Sequence, residues 1–196
     1  MASQTGQRIG IWIIAIVLTV GTIGSFVVII LSNSNQKIDN QQAAAQQAAA
    51  QAQQLQAAQA NADNSIPFGG YSAAAFDPAS ITSLGVQTLV EGTGATIAAT
   101  DSINASYFGW TSDGKIFDSS QKKNASADAP ITFPLSQVIQ GWTQGLTGVK
   151  VGSVVQLSIP ANLAYGATGS GVIPANAPLE FIVQIHSIDN SASTSQ

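Results

Sequence analysis

From residue 84 onward, one stretch of the chain carries helical periodicity and nearly everything around it carries strand periodicity. Val138, Ile139, Trp142 and Leu146 recur at the spacing of a short amphipathic helix. Ser136 stands where an N-cap belongs, Pro134 lies just upstream, and Gly148 follows as a left-handed C-cap would. In residues 102–107, Ile103, Ala105 and Tyr107 share one face, opposite Ser102, Asn104 and Ser106. Val155, Leu157 and Ile159 alternate with Val154, Gln156 and Ser158, and Pro160 ends that run. Leu179, Phe181, Val183 and Ile185 point inward in the last run, with Glu180, Gln184 and His186 outward and Ile182 an exception on the outer face. Shorter strands are expected at 86–90, closed by the turn Glu91-Gly92-Thr93-Gly94, at Ile116-Phe117-Asp118 after the hairpin turn Ser112-Asp113-Gly114, and at Ile131-Thr132-Phe133. Several short strands with a single helix bury their apolar faces only against each other. The expected class is therefore α+β, an antiparallel sheet wrapped on that helix over residues 84–189, with a polar tail at 190–196.

The first part of the chain has a different texture. After a polar opening at 1–8, residues 9–31 run without a charge and stay bulky and apolar to the end of the run. That is long enough to cross about 30 Å of hydrocarbon as a helix, and it lacks the small-residue ending of a cleaved signal peptide. A single-pass anchor in the cell membrane is expected. Arg8 on one flank and Lys37 alone near the other give a small bias that leaves residues 1–8 in the cytoplasm and the C-terminal domain outside it. Residues 41–62 are almost wholly Ala and Gln, good helix formers without an apolar seam. Within 32–62 they predict a helical spacer, and residues 63–83, with Pro67, Gly69, Gly70 and Pro78, an irregular linker.

Composition removes several chemistries. There is no cysteine and one histidine, His186, so a zinc cluster or a Ser/His/Asp triad is not expected, and His186 reads as a solvent-facing strand residue. A net charge of −4 with no basic patch among aromatics argues against nucleic acid. Lys122 and Lys123 read as a solvated loop face within residues 119–129.

Tyr107, Phe117 and Tyr165 arrive near the helix from separate segments and join Trp142 and Phe181. Periodicity leaves a packed core and a pocket equally open. Asp118 sharpens the question, because a carboxylate directly after an inward Phe117 belongs on the opposite face unless the strand bulges. If buried it needs a donor, and the Tyr107 phenol is one available candidate.

Tyr107-Phe108-Gly109, the run Asp113 through Ser120, Val138-Ile139-Gln140-Gly141-Trp142 with Gly145-Leu146, Val151-Gly152, and Ala164-Tyr165-Gly166 through Ile173-Pro174 closely resemble the FKBP family of peptidyl-prolyl cis-trans isomerases. The resemblance spans residues 86–188 in order. It implies a curled five- or six-stranded antiparallel sheet around one short helix, a cleft that receives a proline side chain, and no metal or cofactor. It makes Trp142 the pocket floor, with Tyr107, Phe117, Val138, Ile139 and Phe181 as walls and the backbone amide of Ile139 facing ligand. Tyr165 would donate to a substrate carbonyl, and Asp118 would lie at the rim, held by Tyr107. Ile131 occupies a wall position that is aromatic in many members. Residues 166–172 lack the usual His-Pro and carry Ser170-Gly171. The implied activity is prolyl isomerisation on exported polypeptides. The alternative is a catalytically weak module that binds proline-containing segments as a tethered chaperone. Macrolides of the kind the family binds are implied ligands.

Overall fold

The computed structural model describes residues 40–189. The expected membrane helix at 9–31, the tail at 1–8, the start of the spacer and the tail at 190–196 lie outside them. No helix among the described residues is long and apolar enough to cross a membrane.

Residues 40–64 form helix α1, as the Ala/Gln composition predicts, and up to residue 52 it is exposed throughout. From Gln53 onward the chain forms one compact unit. Its strands are β1 (Gly85–Val90), β2 (Ser102–Trp110), β3 (Ile116–Ser119), β4 (Ile131–Pro134), β5 (Val154–Ile159) and β6 (Leu179–Ile188). They make a six-stranded antiparallel sheet in the order β1-β5-β6-β2-β3. The long β2 takes two partners on one side: β4 pairs with Ser102–Ala105 and β3 with Phe108–Trp110.

The single helix of this region, α2 (Gln140–Leu146), is shorter than its periodicity suggests. Ser136 does not cap it. It sits in a 3-10 turn, Leu135–Gln137, and the chain is then extended at Val138 (φ −100°, ψ 175°) and at Ile139 (φ −59°, ψ 147°) before the helix starts. Two apolar residues that continue the helical spacing thus lie on non-helical backbone. Gly148 has φ +89° just beyond the helix, the left-handed conformation expected there. α2 lies close on β5 because it presents glycine to it. A Cβ on Gly141 would meet Ile159 at 2.4 Å, and one on Gly145 would meet Leu157 at 2.9 Å.

The apolar alternation of β2, β5 and β6 produces the main core. Ile103, Ala105, Leu157, Ile159, Leu179, Val183 and Ile185 are buried between the sheet and α2 with Leu135 and Leu146. The other sheet face is not left to solvent. The irregular segment after α1 runs across it, and Phe68, with Tyr71, Ala73 and Phe76, packs on Phe108, Trp110, Val154 and Ile182. This accounts for the outward Ile182. Phe68 meets the Phe108 ring edge-on at 5.6 Å, and Phe108 stacks on Trp110 at 5.2 Å. Polar bonds tie the segment down: Trp110 Nε1 donates to the Ala74 carbonyl (2.9 Å), and Ser119 Oγ to the Ile66 carbonyl (2.6 Å).

Lys122 is not a solvated loop residue. Its ammonium donates to Asn61 Oδ1, Ser65 Oγ and Asp118 Oδ1 at 2.6, 2.9 and 3.1 Å, because α1 ends beside this loop. His186 is exposed as expected, but its Nε2 lies 2.7 Å from Ser106 Oγ. The Ser106 hydroxyl donates to Asp128, so serine rather than histidine stands in the middle of the three. That order cannot work as a catalytic relay, which needs the imidazole between acid and nucleophile. Ser106 is also fully buried.

The layer under residues 65–76 carries real stability. Phe68 is 3% exposed, so Phe68→Ala should cost about 3–5 kcal/mol in a urea titration. The cleft side chains, on the opposite face, should keep their near-ultraviolet signature under native conditions.

Candidate active site

Between α2 and the curled sheet lies an open cleft of about 460 Å³, lined by Tyr107, Phe117, Asp118, Phe133, Gln137, Val138, Ile139, Trp142, Tyr165 and Phe181. Its floor is the Trp142 indole, brought there by α2 and only 5% exposed. Three rings stand edge-on around it: Phe133 at 5.1 Å, Phe181 at 5.2 Å and Tyr107 at 5.3 Å. Phe117 meets Phe181 edge-on at 5.5 Å. The Trp142 Nε1 is buried without a hydrogen-bond partner. Such edge-to-face contacts hold rings in fixed orientations, so the box keeps its shape.

A bulge in β3 explains how Phe117 and Asp118 both reach this cleft. Gly109 pairs with Asp118 and Trp110 with Ile116, which leaves Phe117 as an extra residue with no opposite number. Both side chains then project to the inner face. Gly109 makes the room: a Cβ there would meet Phe181 at 2.4 Å and Phe117 at 2.6 Å.

The Asp118 carboxylate is well supplied with donors. Oδ2 accepts from the Tyr107 hydroxyl at 2.6 Å, and Oδ1 accepts from Asn61 Nδ2 and the Ser119 backbone N–H, each at 2.9 Å, and from Lys122. Burial pushes the Asp118 acid up, but the hydrogen bonds from Tyr107, Asn61 and Lys122 outweigh it and hold the group below the usual carboxylate range. Burial raises the Tyr107 phenol, with the Asp118 bond and charge adding to it; burial and the Asp118 charge also raise Tyr165. Both phenols therefore stay protonated through neutral pH. Tyr165, 38% exposed at the cleft edge, is a free-standing hydroxyl donor beside an apolar box.

Of the residues singled out from the sequence, Tyr107, Phe117, Asp118, Val138, Ile139, Trp142, Tyr165 and Phe181 come together here. Ile131 does not. It pairs with Ala105 near the start of β4, is 43% exposed and lines no part of the cleft. Phe133, two residues later on the same face, supplies the aromatic wall instead. It and Gln137 were not singled out, although the period of two that puts Ile131 inward puts Phe133 inward as well.

Residues 94–186 match the family model described as FKBP-type peptidyl-prolyl cis-trans isomerase. The FK506-binding protein 2 of Debaryomyces hansenii is 45% identical over 94 residues, covering 47% of this chain and 67% of that protein. The chain belongs to the FKBP-type peptidyl-prolyl cis-trans isomerase family. A second relative, the FkpA isomerase of Aeromonas hydrophila, is 46% identical over 114 residues, which is 57% of this chain and 41% of that protein. Among solved structures, FkpA from Escherichia coli aligns with a TM-score of 0.50 at 37% identity, covering 55% of this chain and 49% of that one. The chain thus spans well under two thirds of the length of both FkpA proteins. Within the matched region of this FKBP-type chain lie the whole aromatic box, Asp118 and Tyr165, whereas Asn61 and Ser65 lie before it.

The lowered pKa of Asp118 couples the stability of the fold to pH. Its folded value is depressed, so the stability it contributes is complete above the unfolded carboxylate range, about pH 4, and is lost as pH falls through the folded value. Urea midpoints should stay level from pH 8 to pH 5 and drop below pH 4. Asp118→Asn should start lower and show a smaller acid drop.

Proposed function

We propose that this FKBP-type domain seats the proline ring of a polypeptide on the Trp142 face and speeds rotation about the preceding amide bond. The observation that carries the reading is the rigid aromatic box open beside a protonated Tyr165. Rotation must break amide resonance over about 18–20 kcal/mol, which makes the uncatalysed change take tens to hundreds of seconds. No covalent bond forms or breaks. The planar amide is the more polar form, so transfer into a dry aromatic box disfavours it relative to the twisted state. Tyr165 donates to a carbonyl flanking the proline, the Ile139 backbone N–H serves a second one, and Phe117, Val138 and Phe181 confine the ring. Asp118 shapes the field of the cleft and holds the Tyr107 ring in place. A macrolide of the kind in the yeast relative's name competes with substrate for the same box.

The wider setting belongs to the same proposal. Residues 9–31 anchor the chain in the cell membrane, α1 spaces the domain from the lipid, and the clients are exported chains folding outside the cytoplasm. The support is the charge-free run and its flanking charges. Added protease should cleave the domain in intact cells; protection until lysis would reverse the topology.

The catalytic part is tested with the full chain in detergent, by NMR exchange of an Ala-Xaa-Pro peptide. Wild type should accelerate exchange. Tyr165→Phe should lower kcat/KM about 2- to 10-fold, the loss of one hydrogen bond, and Asp118→Leu about 10-fold or more. Unchanged exchange in both variants would sink the assignment. Peptide binding without accelerated exchange would favour the tethered binding module.

A further inference from the structure

Helix α1 ends against the acid of the cleft. Asn61, in its last turn, donates from Nδ2 to Asp118 Oδ1 (2.9 Å) and accepts at Oδ1 from Lys122 Nζ (2.6 Å). The same ammonium donates to Ser65 Oγ (2.9 Å) and to Asp118 Oδ1 (3.1 Å), so each of its three protons is committed. Ser65 Oγ donates back to the Asn61 carbonyl (2.8 Å), which fixes the helix end that carries the amide. The bonding assigns the amide's orientation, since a flip would face N–H to ammonium and oxygen to carboxylate. The junction is close elsewhere too: Ala58 lies where a Cβ on Gly171 would meet it at 3.0 Å.

Viewed from Asp118, the groups facing it are the Tyr107 hydroxyl from β2, the more distant Tyr165 hydroxyl, its neighbour's backbone N–H, Lys122 from the following loop and Asn61 from α1. Lys122 is the one cation among them. Without Lys122 and Asn61, a half-buried carboxylate would keep one phenol and one backbone N–H, and its burial would then favour the neutral acid. A neutral Asp118 accepts more weakly from the Tyr107 hydroxyl, so the ring that walls the indole is held less firmly.

We propose that the last turn of α1 is part of the catalytic site, with Asn61 and Lys122 as positioning residues that hold the Asp118 carboxylate charged and aimed at Tyr107. The proposal rests on the isomerase reading of the cleft. It assigns the Ala/Gln helix a task beyond spacing: its docked end sets the electrostatics of the box.

The test uses the full chain in detergent with two readouts, the 13C carboxyl titration of Asp118 and peptide exchange from pH 4 to pH 8. Asn61→Ala and Lys122→Met should each move the Asp118 midpoint upward, the double variant furthest. In the double variant the exchange rate at pH 5 should fall about threefold or more relative to pH 8, while wild type stays level over that range. Asn61→Asp keeps the volume and sets a second carboxylate against the first, so it should move the midpoint the same way even if the truncations fold poorly. Lys122→Arg should restore the wild-type titration. Gln59→Ala, whose amide bonds Asp63 instead, should leave it unchanged. An Asp118 midpoint that stays put in Asn61→Asp and in the double variant overturns the proposal, whatever happens to the rate. Failure of wild type to accelerate exchange would instead count against the isomerase reading, and the titration would still decide the role of α1.

Discussion

The cleft depends on a strand that breaks its own alternation. A regular β3 would put Phe117 and Asp118 on opposite faces, and the carboxylate would then enter the apolar layer formed by Phe68, Phe108 and Trp110. The extra residue at Phe117 turns ring and acid to the same side and brings Asp118 to within 2.6 Å of the Tyr107 hydroxyl. The bulge is workable because Gly109 stands opposite; any side chain there would overlap the Phe117 and Phe181 rings. One irregularity and one missing Cβ together give the site both its wall and its charge.

Burial of the sheet on two faces makes such a bulge tolerable. The α2 side is drawn in by Gly141 and Gly145, and the opposite side is sealed by the segment that follows α1. With both faces packed, the register of β2 against β6 is held by side chains above and below it, and β3 can deform locally without slipping along β2. The Trp142 indole then lies on a sheet packed on both faces.

How far the sequence revealed this follows from the range of each interaction. The alternation in β2, β5 and β6 is a local period of two, and it marks their inward residues. The onset of α2 was hidden because Val138 and Ile139 occupy apolar positions that fit a helix while their backbone is extended. Ile131 and Phe133 share a face, so periodicity cannot say which of them reaches the box; that depends on where β4 meets β2. The outward Ile182 and the Phe68 that covers it are legible only as a pair. Least visible of all is Asn61, an unremarkable amide at the end of an Ala/Gln tract whose partner comes 57 residues later. No short window holds that contact.

The donors around Asp118 also limit what chemistry it can do. A carboxylate offers about four acceptor sites, and here four hydrogen bonds fall on it, three on Oδ1 and one on Oδ2. To act as a base it would have to take up a proton in a site whose donors favour the charged carboxylate and hold its pKa down. To act as an acid it would have to carry a proton that the same donors disfavour. Isomerisation of an amide needs neither step. On the proposed isomerase reading it needs a surface that holds one ring and a field that treats the planar and twisted amides differently, and a fixed negative charge at the rim of an apolar box would supply such a field without being consumed or regenerated.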